Sequence, residues 1–399
     1  MGLDALPGSA GQRGNHKTSV VYFGNEWFAE NRTSSHHIAR RLSARANLLY
    51  VDSPGMRPPS GSKRDLGRIF RKLWQALRPP QWVEPGLWHC TVPQLPWARL
   101  PGVRKLNQLF GAWAVRRALR IAGMRDPVLW FHVPHPSFMM DAVPNRGIVY
   151  YCIDAYAAMP GVDVGYITQC DRALTERADL VFVAPPALVE GKKAINPRTL
   201  FSPHGVDVDL FAQAQHPDTV VPDRAAGLPH PVIGYFGLIA PWTNVELLVA
   251  VARARPQWTL LLIGFASADV SELQALPNVL MVGPQPYESL PAWAKAFDVA
   301  IMPYRLNQMV ANNNPLKLRE YLATGKPVVS APTAEVHRFG DLVQVATEPD
   351  EFIAAIERAL EDTGPDRCAA RMQAVSGMSW EARVEETWSK VSQFLSRKA

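Results

Sequence analysis

The chain has 399 residues, 47% hydrophobic and 20% charged, and a formal net charge of +6; that length predicts two domains, and the composition is that of an ordinary globular protein. No apolar run approaches eighteen residues and the N-terminus has no hydrophobic signal core, which argues against a spanning helix. Cys90, Cys152, Cys170 and Cys368 are scattered, with no C-x-x-C, and fit free thiols in a reducing cytoplasm.

Residues 1–17 are polar, contain Gly and Ser, and read as a disordered leader. Ser19–Gly24 is a buried strand that Gly24 ends. Ser34–Leu42 is helical by its Ile38/Leu42 spacing, and Leu48–Pro54 is a second strand. Strand, loop, helix, strand opens a doubly wound α/β domain, and ligands bind such folds at the edge where Gly24 lies. No G-x-G-x-x-G is present, so a dinucleotide site has little support. Adjacent histidines such as His36 and His37 point apart on a helix and make a poor metal pair.

From Arg64 to Leu77 the apolar residues Leu66, Ile69, Phe70, Leu73, Trp74 and Leu77 follow helical spacing, while Arg64, Arg68, Arg71 and Lys72 occupy the other faces. A basic amphipathic helix with aromatic residues is the pattern of an interfacial helix on anionic lipid. The alternative is a helix packed on its own domain. Nucleic acid fits less well, because the tryptophans follow the basic run instead of interleaving with it.

Gln108–Ile121 reads as a helix, Val128–Pro136 as a strand opening into a loop, and Gly147–Tyr156 as a strand ending near Asp154. His132, His135 and Asp154 therefore sit at successive strand ends on one sheet edge. Asp154 is a candidate general base if it is buried beside an acceptor hydroxyl, or else the N-cap of the segment after it. His132-x-x-His135 lacks a third ligand nearby, so no metal is expected there. Asp179–Leu188 is a buried strand, followed by Leu200–Phe211 with its P-x-G-V-D run. The Pro-, Asp- and Ala-rich residues 213–231 read as a linker between domains at 18–212 and 232–375, with 376–399 as a last helix.

The second domain opens on the strand Val232–Pro241, with Gly237 in its turn, and continues through Trp258–Ala266 and Asn278–Tyr304. Then Asn312–Ser330 spells a helix with both ends written in: Asn314 as cap, Pro315 at the first helical position, Gly325 and Pro327 as the stop. Asn312, Asn313, Asn314 and Lys317 lie at the helix start, where free N–H groups suit a phosphate. Glu320, one turn on, has the chemistry to accept both hydroxyls of a ribose. The plainer alternative is a solvated Lys317–Glu320 pair worth a few tenths of a kcal/mol.

These segments resemble GT-B glycosyltransferases, most closely the large retaining family four (glycosyl transferases group 1) and more loosely the xanthan glucuronosyltransferase type. The resemblance rests on Pro203-x-Gly205-Val206-Asp207 with Phe211, on Glu320 followed by Gly325-x-Pro327-Val328-Val329, and on the Ser379-Trp380-Glu381-Ala382-Arg383 start of the last helix. It departs at Asn312, where the family's first glutamate stands, and at Leu238–Asn244, where the family's diphosphate-binding Arg and Lys are missing.

The resemblance implies two Rossmann-like domains facing across a cleft, donor in the C-terminal half and acceptor in the N-terminal half. It implies a UDP- or GDP-linked sugar donor with no metal or other cofactor. The acceptor would be a lipid-linked or envelope glycan at the inner face of the membrane, where the chain is peripherally bound. Retention is implied before inversion. Tyr287 falls where the base often stacks, and His135 at a strand end that touches the donor sugar. Lys317, Arg305 or backbone amides would neutralise the diphosphate. Rivals are a nucleotide-sugar epimerase of the same fold and a catalytically degenerate, membrane-attached sugar-nucleotide-binding protein.

Overall fold

Short runs of Val, Ile, Leu and aromatic residues, buried on both faces, build two separate sheets, as expected where helices cover both sides of parallel strands. The computed structural model describes residues 17–29, 32–53, 78–92, 95, 100–159, 161–311 and 313–398. The basic segment with Arg64, Arg68, Arg71, Lys72 and Trp74, and also Asn312, lie outside the described residues.

The first sheet contains β1 (Ser19–Gly24), β2 (Asn47–Asp52), β3 (Gln81–Glu84), β4 (Leu87–Thr91), β5 (Val128–Phe131), β6 (Gly147–Cys152), β7 (Leu180–Val183) and β8 (Thr199–Phe201). Its order is β3-β4-β2-β1-β5-β6-β7-β8, parallel except for the β3–β4 hairpin. The second contains β9 (Val232–Phe236), β10 (Thr259–Ile263), β11 (Val279–Gly283), β12 (Val299–Met302), β13 (Val328–Ser330) and β14 (Val343–Val345), all parallel, in the order β11-β10-β9-β12-β13-β14. In each sheet the order reverses beside the first strand, between β1 and β5 and between β9 and β12. Ligands of doubly wound folds bind at the carboxyl ends of the strands at that reversal.

The longer helices are α1 (Ser34–Ser43), α2 (Pro101–Ile121), α3 (Val164–Arg177), α4 (Val189–Ile195), α5 (Val245–Ala254), α6 (Leu290–Lys295), α7 (Leu316–Ala323), α8 (Pro349–Glu361), α9 (Pro365–Val375) and α10 (Trp380–Lys398). Helix α2 begins seven residues before the expected Gln108, because Pro101 supplies an N-terminal residue that needs no amide hydrogen. Each sheet is covered on both faces by an apolar cluster. Trp380, Val384, Val391 and Leu395 of α10 join the cluster under β1 and β2, so the end of the chain packs on the first domain. Residues of 213–231 are not loose: Ala214 and Ala225 are buried, and Ala225 belongs to the cluster around β9.

The last helix and the second domain are each fastened to the first domain by further contacts. Arg41 of α1 bonds Asp207 and Glu381, and the His37 ring stacks on Trp380 at 5.0 Å and 4°. Asn314 does not cap α7. Pro315 occupies the flanking position in extended conformation, and the Asn314 amide instead donates to the Ala184 carbonyl at 2.8 Å, just past β7. Its oxygen accepts from Arg319 Nη1 at 2.6 Å, and Arg319 is paired in turn with Glu335; both charged side chains are 1% exposed.

Removing one partner of such a pair strands a buried charge, at a cost of about 3–5 kcal/mol. Glu335→Met should therefore lower the calorimetric Tm by several degrees, and Arg319→Met/Glu335→Met should recover most of the loss. A double variant as unstable as the single one would show that burial of the charges is not what the pair relieves.

Candidate functional site

The reversal point of the second sheet is built from glycine. Gly237 follows β9 with φ +126°, and a Cβ there would fall 2.0 Å from Lys317 Cε. Gly264 follows β10 with φ +135°, and its Cβ would fall 2.1 Å from the Gly237 carbonyl oxygen. Side-chain-bearing residues fit neither the conformation nor the space. The strand ends step across by backbone bonds, Gly237 N–H to the Ile263 carbonyl at 2.7 Å and Gly264 N–H to the Gly283 carbonyl at 2.8 Å. The result is a bare peptide lip beside the start of α7.

Lys317 fills the space that Gly237 leaves. Its ammonium donates to the Tyr235 hydroxyl at 3.1 Å and lies 4.9 Å from the Tyr235 ring centroid and 5.9 Å from that of Tyr304. Two ring faces hold a cation at the strand-end edge while leaving its other N–H groups unused by the rings. Neither tyrosine was singled out from the sequence. The available signal was that Tyr235, inside β9, and Tyr304, two residues past β12, lie on the strands flanking the reversal.

Glu320, one turn further, is 7% exposed, which rules out the solvated pair. Burial pushes its carboxyl up to about 7, against the opposing pull of the Tyr287 hydroxyl and of Lys317. Tyr287 donates to Glu320 Oε1 at 3.1 Å, leaving the second carboxylate oxygen for another donor. The Tyr287 ring meets Phe211 edge-on at 5.6 Å and His37 at 5.1 Å, with the Arg32 guanidinium 5.4 Å from its centroid. It is therefore a packed bridge between domains that also orients Glu320. Asn313 is half-buried, its backbone N–H donating to the Val310 carbonyl at 3.1 Å.

Arg305 is committed elsewhere, to an ion pair with Glu246. Among the described residues of the loop Leu238–Asn244 no cation appears, so Lys317 and backbone amides are the positive groups at this lip.

On the first domain, Asp154 lies two residues past β6. Burial pushes its carboxyl up to about 6, partly offset by the Ala155 N–H, which donates to Oδ1 at 2.8 Å. It caps no helix: the short 3₁₀ turn Tyr156–Ala158 has Ala155 at its flank and no side-chain cap. Ala158 of the same loop packs against the second domain's core, which brings the Asp154 loop to the junction. His135 opens the 3₁₀ segment His135–Asp141 and is buried, its carbonyl accepting from the Tyr166 hydroxyl at 3.3 Å.

Two expected cleft residues are closed off. His132 is fully buried, with Nδ1 2.9 Å from the Tyr22 hydroxyl and Nε2 3.1 Å from Ser34 Oγ. Burial holds its ring well below the usual histidine range, so it is a neutral strut. Gly24 has no room above it: a Cβ would fall 2.2 Å from the Tyr50 hydroxyl and 2.3 Å from Ser35 Oγ. His36 and His37 go into separate networks, His36 bonding Thr33 N at 3.0 Å and lying 3.0 Å from the Glu26 carbonyl. Among the described residues no three His, Cys, Asp or Glu side chains converge as a metal site.

Residues 230–362 match the family model described as glycosyl transferases group 1. Over 264 residues, 60% of this chain, the sequence is 27% identical to the "Putative teichuronic acid biosynthesis glycosyltransferase TuaH" of Bacillus subtilis (strain 168), and the match spans 64% of that relative's length. Among solved structures, a sucrose-phosphate synthase from Thermosynechococcus elongatus superposes with a TM-score of 0.69 at 17% identity, covering 96% of this chain and 100% of that one. Anabaena Alr3699/HepE in complex with UDP-glucose superposes with a TM-score of 0.64 at 15% identity, covering 94% and 100%. The chain thus has the GT-B fold, and its residues 230–362 are similar to the glycosyl transferases group 1.

Proposed function

We propose that the chain is a glycosyltransferase that moves a sugar from a UDP- or GDP-linked donor to an envelope or lipid-linked glycan at the inner face of the membrane. The observation that carries this reading is the glycine lip with Lys317 and Glu320 beside it, at the reversal point of the second sheet. The donor diphosphate lies over Gly237 against Lys317 and the first amides of α7, and the ribose hydroxyls donate to Glu320. Support for a UDP donor comes from the fold neighbour bound to UDP-glucose, and for an envelope glycan from the teichuronic acid relative. The epimerase and the degenerate binding protein have no counterpart among those relatives.

In the transfer, the bond from the anomeric carbon to the diphosphate oxygen breaks and a bond to an acceptor hydroxyl oxygen forms. Lys317 and the helix N-terminus stabilise the negative charge that accumulates on the leaving diphosphate, so no metal ion is required in this scheme. Retention is the first course, with the departing phosphate oxygen receiving the acceptor proton. Inversion is favoured by one observation, the half-buried Asp154 whose carboxyl is pushed up to about 6, toward the range where a general base works best. His135 borders the same edge as a contact for the sugar.

Glu320 sets the pH dependence of donor binding. Its carboxyl holds a proton below about 7 in the unliganded fold, and only the ionised form accepts both ribose hydroxyls. Nucleotide affinity should rise by up to about tenfold per pH unit below that value and level off above it. The native carboxyl binds its proton more tightly than the unfolded one. Its contribution to unliganded stability is therefore full below the unfolded pKa and falls as pH rises through about 7. Titration calorimetry with UDP should show Glu320→Gln binding roughly 10- to 100-fold more weakly, without the wild-type pH slope and with no loss of apo Tm at pH 8. Normal affinity with a lowered apo Tm would assign Glu320 to structure alone.

Asp154→Asn separates the two stereochemical courses. Under inversion it should lower kcat by about 10²–10⁴-fold with nucleotide affinity unchanged. Under retention the loss should stay below about tenfold. The anomeric configuration of the product by NMR, read beside the kinetics, decides between them.

A further inference from the structure

Helix α2 presents an apolar stripe to solvent. Leu106, Leu109, Phe110 and Trp113 are 44%, 54%, 46% and 47% exposed, at the i, i+3, i+4, i+7 spacing that places them on one arc of about 100°. Isolated exposed apolar residues need no explanation, but four contiguous large ones on a single helix face mark an interaction surface.

The face is held rigidly. The opposite side of α2 is buried through Gly111, Ala114, Val115 and Ala118, and the buried Asn107 amide exchanges two bonds with the Leu95 backbone, at 2.7 and 2.9 Å. Gln108 Nε2 donates to the Phe138 carbonyl at 3.2 Å, tying α2 to the segment that begins at His135. The helix thus runs beside the acceptor edge of the first sheet.

Charge identifies what covers the stripe. Pro101–Arg125 contains no Asp or Glu. Lys105 and Arg120 are exposed beside the apolar residues, and the Arg117 guanidinium lies 5.8 Å from the Trp113 ring centroid. A second copy of the chain would set this basic face against itself, and residues 64–77 are basic too. Apolar side chains flanked by cations without carboxylates match an interface of acyl chains under anionic headgroups.

We propose that the outer face of α2 is the surface by which this protein docks on an anionic lipid bilayer. The docking itself stands on α2 alone; its purpose, holding the first domain's acceptor edge at the bilayer, rests on the reading that the acceptor is membrane-borne. Among the described residues no helix is long and apolar enough to cross a membrane.

The test uses the full chain with vesicles of phosphatidylcholine containing 30 mol% phosphatidylglycerol, a composition taken to be of the order that gives a strong surface potential. Wild type should sediment with these vesicles and not with phosphatidylcholine alone. Lys105→Gln/Arg120→Gln should lower the partition coefficient about thirtyfold, an effect that salt reproduces in wild type. Leu109→Ser/Phe110→Ser should lower it roughly tenfold or more at any salt. A fluorophore on Leu109→Cys, in a Cys368→Ser background, should shift to the blue on adding the anionic vesicles.

Unchanged sedimentation of both double variants overturns the proposal. So does a fluorophore already shielded without lipid, which would mean that another part of the chain covers the face. Concentration-dependent dimerisation abolished by Leu109→Ser/Phe110→Ser would overturn it in favour of a second copy. UDP binding and donor turnover in detergent-free solution are measured on the same variants. Their loss in wild type would count against the proposed transfer and leave the docking surface standing, whereas normal turnover without vesicle binding would do the reverse.

Discussion

The arrangement of the site depends on one buried charge. Arg319 has no solvent to hydrate it, so it is held by Glu335 on one side and by the Asn314 oxygen on the other. Asn314, oriented by that guanidinium, donates an amide hydrogen to the Ala184 carbonyl just past β7. A helix of the second domain is thereby registered against a strand end of the first by atoms that cannot leave the interior without stranding a charge. Lys317 and Glu320 flank Arg319 on the same short helix, so their positions relative to the first domain follow from this link.

A second constraint is steric. Lys317 reaches the sheet edge only because Gly237 has no Cβ, and Gly237 turns there only because Gly264 yields to its carbonyl. The cation that faces the lip is supplied by the helix and steadied by Tyr235 and Tyr304, in place of cations on the loop Leu238–Asn244. Within a wall this apolar, an ammonium and a carboxyl that titrates near 7 respond strongly to a charged ligand, because little water screens them.

The histidines on the other side of the junction are neutral because of their surroundings. His37, His132 and His204 are all buried, and desolvation holds each below the usual histidine range, His204 at about 3. His37 stacks on Trp380 and touches Tyr287, so the last helix, the first helix and the Glu320 partner share one contact. The helices α1 and α10 are therefore coupled to the geometry of the candidate donor site.

Local chemistry in the sequence was enough to read most of the strands and helices, the two α/β domains and the placing of Lys317 and Glu320 one turn apart, but not the short strands β3, β4 and β8 or the helix α9. Strand burial, turn glycines and helix stops act between near neighbours, so they leave a pattern in the chain. Competition between distant partners leaves none. Asn314 looked like a cap, but a cap bond worth about 1 kcal/mol yields where a buried carbonyl and a buried guanidinium both need a partner. His132 looked like a cleft residue until Tyr22 and Ser34 claimed both its nitrogens. Tyr287 looked free to stack on a base until Phe211, His37 and Glu320 enclosed it. Helix α2 is apolar on two sides, and periodicity alone does not say which side the core takes. The small residues Gly111, Ala112 and Ala114 let that side pack closely against the sheet, and this left the larger ones, Leu106, Leu109, Phe110 and Trp113, facing outward.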